Sequence, residues 1–482
     1  MKRNLSSALP ITPPKTDVRP VLHPGDVVEI LCTDLIAKTG QAVGRADGMV
    51  VYVLGPVPGE RARVKIDAVK AKYAVGDLVE LLERSSDRVE PFCAVFGTCG
   101  GCQVQHLAYP AQLVWKRGIV ENALRRLGGI EGARVDAPVG MVNPRAYRNK
   151  MALVVDHAAA LDAGPSFGFY AARSHDIVPI ASCPIVMPQL DTAIAGLWAA
   201  ARDPATTHAF DEARHVIARA GAASGESVLS ITTDRASTSL PALGAALAAK
   251  LPGTIGVSNS FEPPSENAVM GRRNVTVSGS AAMHEAIGDV KFNVSPASFF
   301  QVNSEMVGKI FGYLASQSLA EKRFIDLYCG AGTFALFFAK AGARVVGIEE
   351  NPNAIREANA NAAVNGVGER TAFMNGRVES VLRSKTGVDA LKAADIVFLD
   401  PPRKGSDEGT LDALVRAKVP HVWYLSCNPA TLARDLAHLI AGGYVLGSVQ
   451  PFDMFPQTGH IEALAALHRA DVAPFSFPTV EA

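Results

Sequence analysis

Several short stretches of this chain combine residue types that chemistry needs. Gly330, Gly332 and Ala335 in FIDLYCGAGTFALFFAKAG fit a G-x-G-x-x-A spacing between an apolar strand-like run and a helical one. Missing Cβ atoms let a ligand approach backbone closely at a helix N-terminus. A carboxylate, Glu349, closes the next apolar run in VVGIEEN. An acid there can accept hydrogen bonds from both hydroxyls of a ribose. The acidic DLYCGAG turn suits a zwitterionic, cationic ligand better than a pyrophosphate. S-adenosylmethionine is such a ligand; a dinucleotide, or a tight turn of purely structural value, is the rival reading.

Two further turns close apolar runs: Asp400-Pro401-Pro402-Arg403-Lys404-Gly405 and Ser426-Cys427-Asn428-Pro429. Methylases of exocyclic amino groups commonly carry Asp/Asn-Pro-Pro-aromatic, and here Arg403 stands in the aromatic position. That disfavours amino-group chemistry and leaves Cys427 to be explained. A thiolate is needed when the target is carbon 5 of a pyrimidine, which is too weak a nucleophile by itself. Thiolate addition at carbon 6 makes carbon 5 an enolate carbon, splitting one hard step into easier ones. A general base must then remove the carbon 5 proton. DMFPQTGHIEAL offers His460 and Glu462, and spacing does not choose between them.

A separate set of thiols lies earlier. Cys93, Cys99 and Cys102 form C-x₅-C-G-G-C, and Cys183 lies far along the chain in ASCPI. Four soft thiolates can hold an iron–sulfur cluster or a structural zinc ion. Zinc ribbons usually present two C-x₂-C knuckles, whereas this chain has one. Gly100 and Gly101 would also let backbone amides reach sulfur, so iron–sulfur is favoured, with unligated thiols as the remaining reading.

These residues must be positioned by several elements. The length of 482 residues suggests about three domains. Residues 1–22, rich in Pro, Ser and Thr, read as a disordered arm. Residues 23–90 alternate apolar and polar positions between Gly and Pro punctuation and predict a small OB-like β-barrel, a fold that often binds RNA. Residues 91–279 predict a mixed α+β domain. Residues 280–482 alternate strands with helices, which predicts an α/β, Rossmann-like domain with a parallel-rich sheet. In such sheets ligands bind beyond the carboxyl ends of the strands, which is where the three turns fall.

Composition sets outer limits. The 47 basic and 47 acidic residues cancel, which argues against a uniformly basic nucleic-acid coat but not against a local patch. Between Gln103 and Lys150 eight basic residues (Lys116, Arg117, Arg125, Arg126, Arg134, Arg145, Arg148 and Lys150) face only Glu121, Glu131 and Asp136. Seven cysteines cannot all pair, and the N-terminal stretch has no apolar core of signal-peptide length. No run reaches the roughly 20 apolar residues of a membrane span. A cytoplasmic protein is expected, with no membrane and no DNA among its partners.

Taken together, DLYCGAGTF (Asp326–Phe334), DPPRKG, SCNP, DMFPQTGHIE (Asp453–Glu462) and SFFQVN (Ser298–Asn303) resemble the RNA uracil-5-methyltransferases, and most nearly their iron–sulfur 23S ribosomal RNA branch. The β-rich segment resembles their RNA-binding TRAM domain. The resemblance implies Cys427 as nucleophile and Glu462 as the proton-abstracting base. It implies S-adenosyl-L-methionine contacts from Gln301, Tyr328, Thr333, Glu349, Asn375 and Asp400; Thr333 stands where some members carry Asn. It also implies a [4Fe-4S] cluster on Cys93, Cys99, Cys102 and Cys183. The expected activity is methylation of carbon 5 of a uridine in 23S ribosomal RNA by a monomer that binds structured RNA. A transfer-RNA enzyme is the near alternative. An NAD-dependent oxidoreductase or a non-catalytic RNA-binding protein are the distant ones.

Overall fold

The structure is a computed structural model that describes residues 22–158, 164–266 and 268–479; residues 1–21 of the expected arm lie outside these. The chain forms two compact units. One comprises the described residues up to Ile36 together with Gly40–Arg88; the other comprises Ala37–Thr39 and the residues from Val89 onward.

The first unit is a six-stranded sheet of Val27–Leu31, Asp34–Leu35, Ala42–Ala46, Met49–Val53, Arg61–Val69 and Tyr73–Glu83. Strand alternation drives it: Ala62, Val64 and Ile66 are buried while Arg61 and Lys65 face solvent. The sheet curls, because the first strand meets the third as well as pairing with the fifth. A Cβ at Gly44 would lie 2.8 Å from Ile30, so only glycine allows that approach. Glu60 is fully buried in this unit. It accepts from Arg88 Nε at 2.6 Å, from Arg88 Nη2 at 2.7 Å and from the Val57 amide at 2.8 Å.

The second unit contains two large sheets. The first runs, in spatial order, Arg273–Gly279, Thr254–Phe261, Ser227–Thr232, His215–Ala220, Lys150–Asp156, Ser166–Tyr170 and Ile177–Pro179. The second is the C-terminal sheet, with β1 (Arg323–Leu327), β2 (Arg344–Glu349), β3 (Thr371–Asn375), β4 (Ile396–Leu399), β5 (His421–Ser426), β6 (Tyr444–Phe452) and β7 (Glu462–Arg469). Its order is β3-β2-β1-β4-β5-β7-β6, parallel from β3 to β5, with β7 antiparallel to both its neighbours. The central strands are largely apolar because both faces are covered, and β4 is buried along its whole length. In β4, Ile396 and Phe398 enter one core while Val397 and Leu399 enter the other.

Three helices matter for the site: α1 (Tyr109–Arg126), α2 (Thr333–Lys340) and α3 (Pro429–Ala441). Val120, Ala123 and Leu124 of α1 share a core with Leu432, Ala433 and Leu436 of α3. The chain reverses direction across the sheet between β1 and β4, opening the crevice where ligands of such sheets sit.

The Glu60–Arg88 pair gives a stability test of the first unit. Burial pushes the Glu60 carboxyl up, but Arg88 and the Val57 amide outweigh it and hold the carboxyl below its usual value. The stabilisation is therefore present at neutral pH and is lost as pH falls through that depressed value. Arg88→Met should destabilise the unit by about 3–5 kcal/mol by leaving a buried, unpaired carboxylate. Urea unfolding followed by limited proteolysis of residues 22–88 measures it, and the deficit should shrink in acid.

Candidate active site

Strand register brings the expected cofactor residues together. Leu327 pairs with Ile348 on one side and Leu399 on the other, and Glu349 pairs with Asn375. Asn375, Glu349, Tyr328 and Asp400 therefore stand at adjacent carboxyl ends, in that spatial order. The turn after β1 is left-handed at Tyr328 (φ 66°), Gly330 (φ 53°) and Gly332 (φ 89°), and Thr333 opens α2 behind it. Glu349 accepts from the Gly330 amide at 3.2 Å and the Asn351 amide at 2.7 Å. Asn375 donates to the carbonyls of Glu349 and Glu350, both at 3.1 Å. The Tyr328 hydroxyl lies 3.2 Å from Ser406 Oγ. Gln301 Nε2 donates to Asp400 Oδ2 at 3.0 Å, which brings SFFQVN to the crevice. In that segment Phe300 is buried and Phe299 is 69% exposed.

Asp326, one residue before the end of β1, lies within the DLYCGAG motif. It is buried, and no hydrogen bond of normal geometry reaches either carboxylate oxygen. Burial, then the charges of Asp400 and Glu349, push its carboxyl well above the usual range, with the Ala335 amide only partly offsetting them. A buried orphan carboxylate calls for a cationic partner. The ammonium and sulfonium of S-adenosylmethionine meet that need, so the residues present fit this ligand.

Cys427 and Glu462, the expected nucleophile and base, lie at the next strand ends. Ser426 of β5 pairs with Ala463 of β7. Continuing this antiparallel register by one residue sets Cys427 opposite Glu462. The SCNP turn is built from its own side chains. Asn428 caps α3 by accepting from the Ala430 amide at 3.1 Å, and its Nδ2 donates to the Arg403 carbonyl at 2.8 Å. The SCNP turn thus grips the DPPRKG turn.

Burial, then Glu462 and Asp400, pushes the Cys427 thiol up to about 12, and Arg403 acts against this. Burial raises Asp400 to about 7, opposed by Gln301. Glu462 is raised well above the carboxylate range by burial and then by Asp400, and its Oε2 has no hydrogen-bond partner. His460 lies with its Nε2 3.3 Å from Arg403 Nη2. Burial, then Arg403, Lys116 and Arg148, lowers it to about 4. Of the two base candidates, the histidine is thus neutral beside a guanidinium, while the glutamate faces the thiol.

Cys93, Cys99, Cys102 and Cys183 line a single cavity of about 350 Å³, together with Arg148, Arg403 and His460. The Gly101 amide donates to Cys99 Sγ at 3.4 Å. Burial pushes Cys102 up to about 12 and also raises Cys99 and Cys183. Among the described residues no group of three or more His, Cys, Asp or Glu could hold a metal ion.

The basic stretch is less exposed than its charge count suggests. Lys116 is fully buried, donating to Asp453 Oδ1 at 2.6 Å, and Arg134 pairs with Asp136 at 2.8 Å. Arg117, Arg125 and Arg126 keep the outward-facing charge of α1.

A doubly covered parallel sheet with an acid-lined crevice at its switch point is the arrangement of S-adenosylmethionine-dependent methyltransferases. Comparison with known proteins narrows the class. The tRNA (Uracil-5-)-methyltransferase family profile matches residues 285–470, and the TRAM domain profile matches residues 22–79. An uncharacterized RNA methyltransferase of Halalkalibacterium halodurans is 37% identical over 92% of this chain and 98% of its own length. Another, from Thermosynechococcus vestitus, is 36% identical over 93% of this chain and 99% of its own. The solved Pyrococcus abyssi tRNA (uracil-54, C5)-methyltransferase, in complex with S-adenosyl-L-homocysteine, superposes with a TM-score of 0.70. It is 26% identical and covers 91% of this chain and 100% of its own. The chain belongs to the RNA uracil-5-methyltransferase family and is an RNA methyltransferase that uses S-adenosylmethionine.

The raised carboxyls predict proton-linked binding. A cationic ligand favours the ionised forms, so S-adenosylmethionine should release protons from Asp400 and its neighbours at and below neutral pH. S-adenosylhomocysteine, lacking the sulfonium charge, should release fewer. Calorimetry in buffers of different ionisation enthalpy counts the protons, and Asp400→Asn should reduce the difference.

Proposed function

We propose that this protein methylates carbon 5 of a uridine in 23S ribosomal RNA through a covalent bond from Cys427. The observation that carries the reading is the register that sets Cys427 opposite Glu462, with Asp400 and Arg403 beside them. Bound S-adenosylmethionine supplies an electrophilic methyl group. The Cys427 thiolate adds to carbon 6 and the displaced π electrons make carbon 5 nucleophilic. After carbon 5 has taken the methyl group, Glu462 in its ionised form removes the carbon 5 proton. The carbon 5–carbon 6 double bond re-forms and the thiolate leaves. Arg403 is the local cation that favours the thiolate.

The adenosyl ligand would be held by Gln301, Tyr328, Thr333, Glu349, Asn375 and Asp400, with Asp326 added on the strength of its orphan carboxylate. The target base must leave its stack to reach Cys427, and exposed Phe299 is placed to stack on an unpaired base. We divide the chain into a barrel at 23–90 that grips RNA phosphates, a central domain at 91–279 and a catalytic domain at 280–482. It acts as a monomer in the cytoplasm, a reducing compartment that keeps its thiols free.

Cys93, Cys99, Cys102 and Cys183 would hold a [4Fe-4S] cluster. Four thiols around a cavity, with an amide donating to sulfur, suit a cluster better than a single zinc ion. Methyl transfer by this route moves no electron, so the contribution is structural. Anaerobically purified protein should carry about four iron atoms and four sulfides per chain, and Cys183→Ala should lose them; zinc in their place would refute the assignment.

The four-cysteine pattern favours ribosomal RNA. Transfer RNA is the second reading, favoured by the solved Pyrococcus abyssi enzyme, whose substrate is tRNA. The mechanism is tested with RNA carrying 5-fluorouridine, whose fluorine cannot leave as a proton. The wild-type protein should form an adduct that survives denaturing electrophoresis, and Cys427→Ala should form none. An active Cys427→Ala enzyme would refute the covalent route.

A further inference from the structure

The loop Asp453–Ile461 joins β6 to β7 and delivers Glu462 as the first residue of β7. It is gripped from a distant part of the chain. The Lys116 ammonium donates to Asp453 Oδ1 at 2.6 Å and to the Phe455 carbonyl at 2.9 Å, with both charged side chains fully buried. The Tyr147 hydroxyl donates to the Pro456 carbonyl at 3.0 Å. Gln112 and Gln457 bond reciprocally: Gln112 Nε2 donates to Gln457 Oε1 at 3.0 Å, and the Gln457 amide donates to Gln112 Oε1 at 3.1 Å. The Gln103 and Val104 amides both donate to the Gln457 carbonyl at 3.1 Å. Gln457 is held at φ 69°, a left-handed conformation unusual for a residue with a side chain.

Gln112 and Lys116 are four residues apart on α1, so they share one face of the helix. Further along, Val120, Ala123 and Leu124 pack with α3, the helix that begins two residues after Cys427. One rigid element therefore touches the helix that follows the nucleophile and the loop that precedes the base. We propose that α1, through Gln112 and Lys116, sets Glu462 against Cys427, and that these two are positioning residues for proton removal. Gln103, beside Cys102, extends the same hold to the cysteine-bearing loop. The inference rests on the reading of Glu462 as the base.

The test separates thiolate addition from proton removal. Capture of 5-fluorouridine RNA needs Cys427 and the methyl donor but no proton acceptor, whereas turnover on ordinary RNA needs all three. Gln112→Ala leaves the buried ion pair intact, and Gln457→Gly relieves the left-handed backbone while removing the side-chain acceptor. Each should keep the wild-type rate of capture, lose turnover by about 100-fold as expected for a misplaced group, and accumulate a methylated protein–RNA adduct on ordinary RNA. Intact capture also reports that the variant is folded. A merely structural role would lower capture and turnover in the same proportion, and that result, or unchanged turnover, overturns the proposal. Glu462→Gln run alongside keeps the two claims apart. If it accumulates no adduct, the base assignment fails; if it does and both other variants do not, only the positioning role fails.

Discussion

The antiparallel pairing of β5 with β7 is the constraint on which the site depends. Five parallel strands can deliver ligand-binding residues at their carboxyl ends, and here they deliver Asn375, Glu349, Tyr328, Asp400 and Cys427. A sixth parallel strand would bring its last residue to that edge; an antiparallel one brings its first. Because β7 runs the other way, its first residue meets the end of β5, and Glu462 arrives opposite Cys427. The loop that joins β6 to β7 carries DMFPQTGH and is far longer than the two-residue turn such a hairpin needs.

The second constraint is electrostatic. Asp326, Asp400 and Glu462 are buried together near a thiol, and desolvation pushes all four groups toward their neutral forms. Such crowding costs stability unless a cation relieves it. A cationic methyl donor does so, and in the same stroke makes the thiolate easier to form. On the proposed mechanism, cofactor binding and nucleophile activation are thereby linked through charge. Arg403 is the resident cation that keeps the unliganded site from being wholly acidic.

Much of this was legible in the sequence because the chemistry sits in short turns. DLYCGAG, DPPRKG and SCNP each close an apolar run, and the alternation of strand and helix places all three at one edge of a parallel sheet. The four cysteines were legible only as a donor set, since C-x₅-C-G-G-C says nothing of where Cys183 lies in space. What local pattern could not show are contacts between remote positions. Lys116 looked like one more surface cation in a basic stretch, yet it is buried against Asp453, more than 300 residues away. Gln112 and Gln457 gave no signal at all, because an uncharged amide pair leaves no trace in periodicity or charge. Asp326 was visible as an acid in a turn, but its lack of partners exists only in the folded chain.

The central claim is that this fold uses Cys427 to install a methyl group on carbon 5 of an RNA uridine. The most direct measurement maps 5-methyluridine across total RNA from cells with the gene, without it, and with it restored as wild type or as Cys427→Ala. The account predicts one or more positions in large-subunit ribosomal RNA that vanish on deletion, return with the wild-type gene and stay absent with Cys427→Ala. Full persistence of every 5-methyluridine after deletion, or restoration by Cys427→Ala, would contradict it.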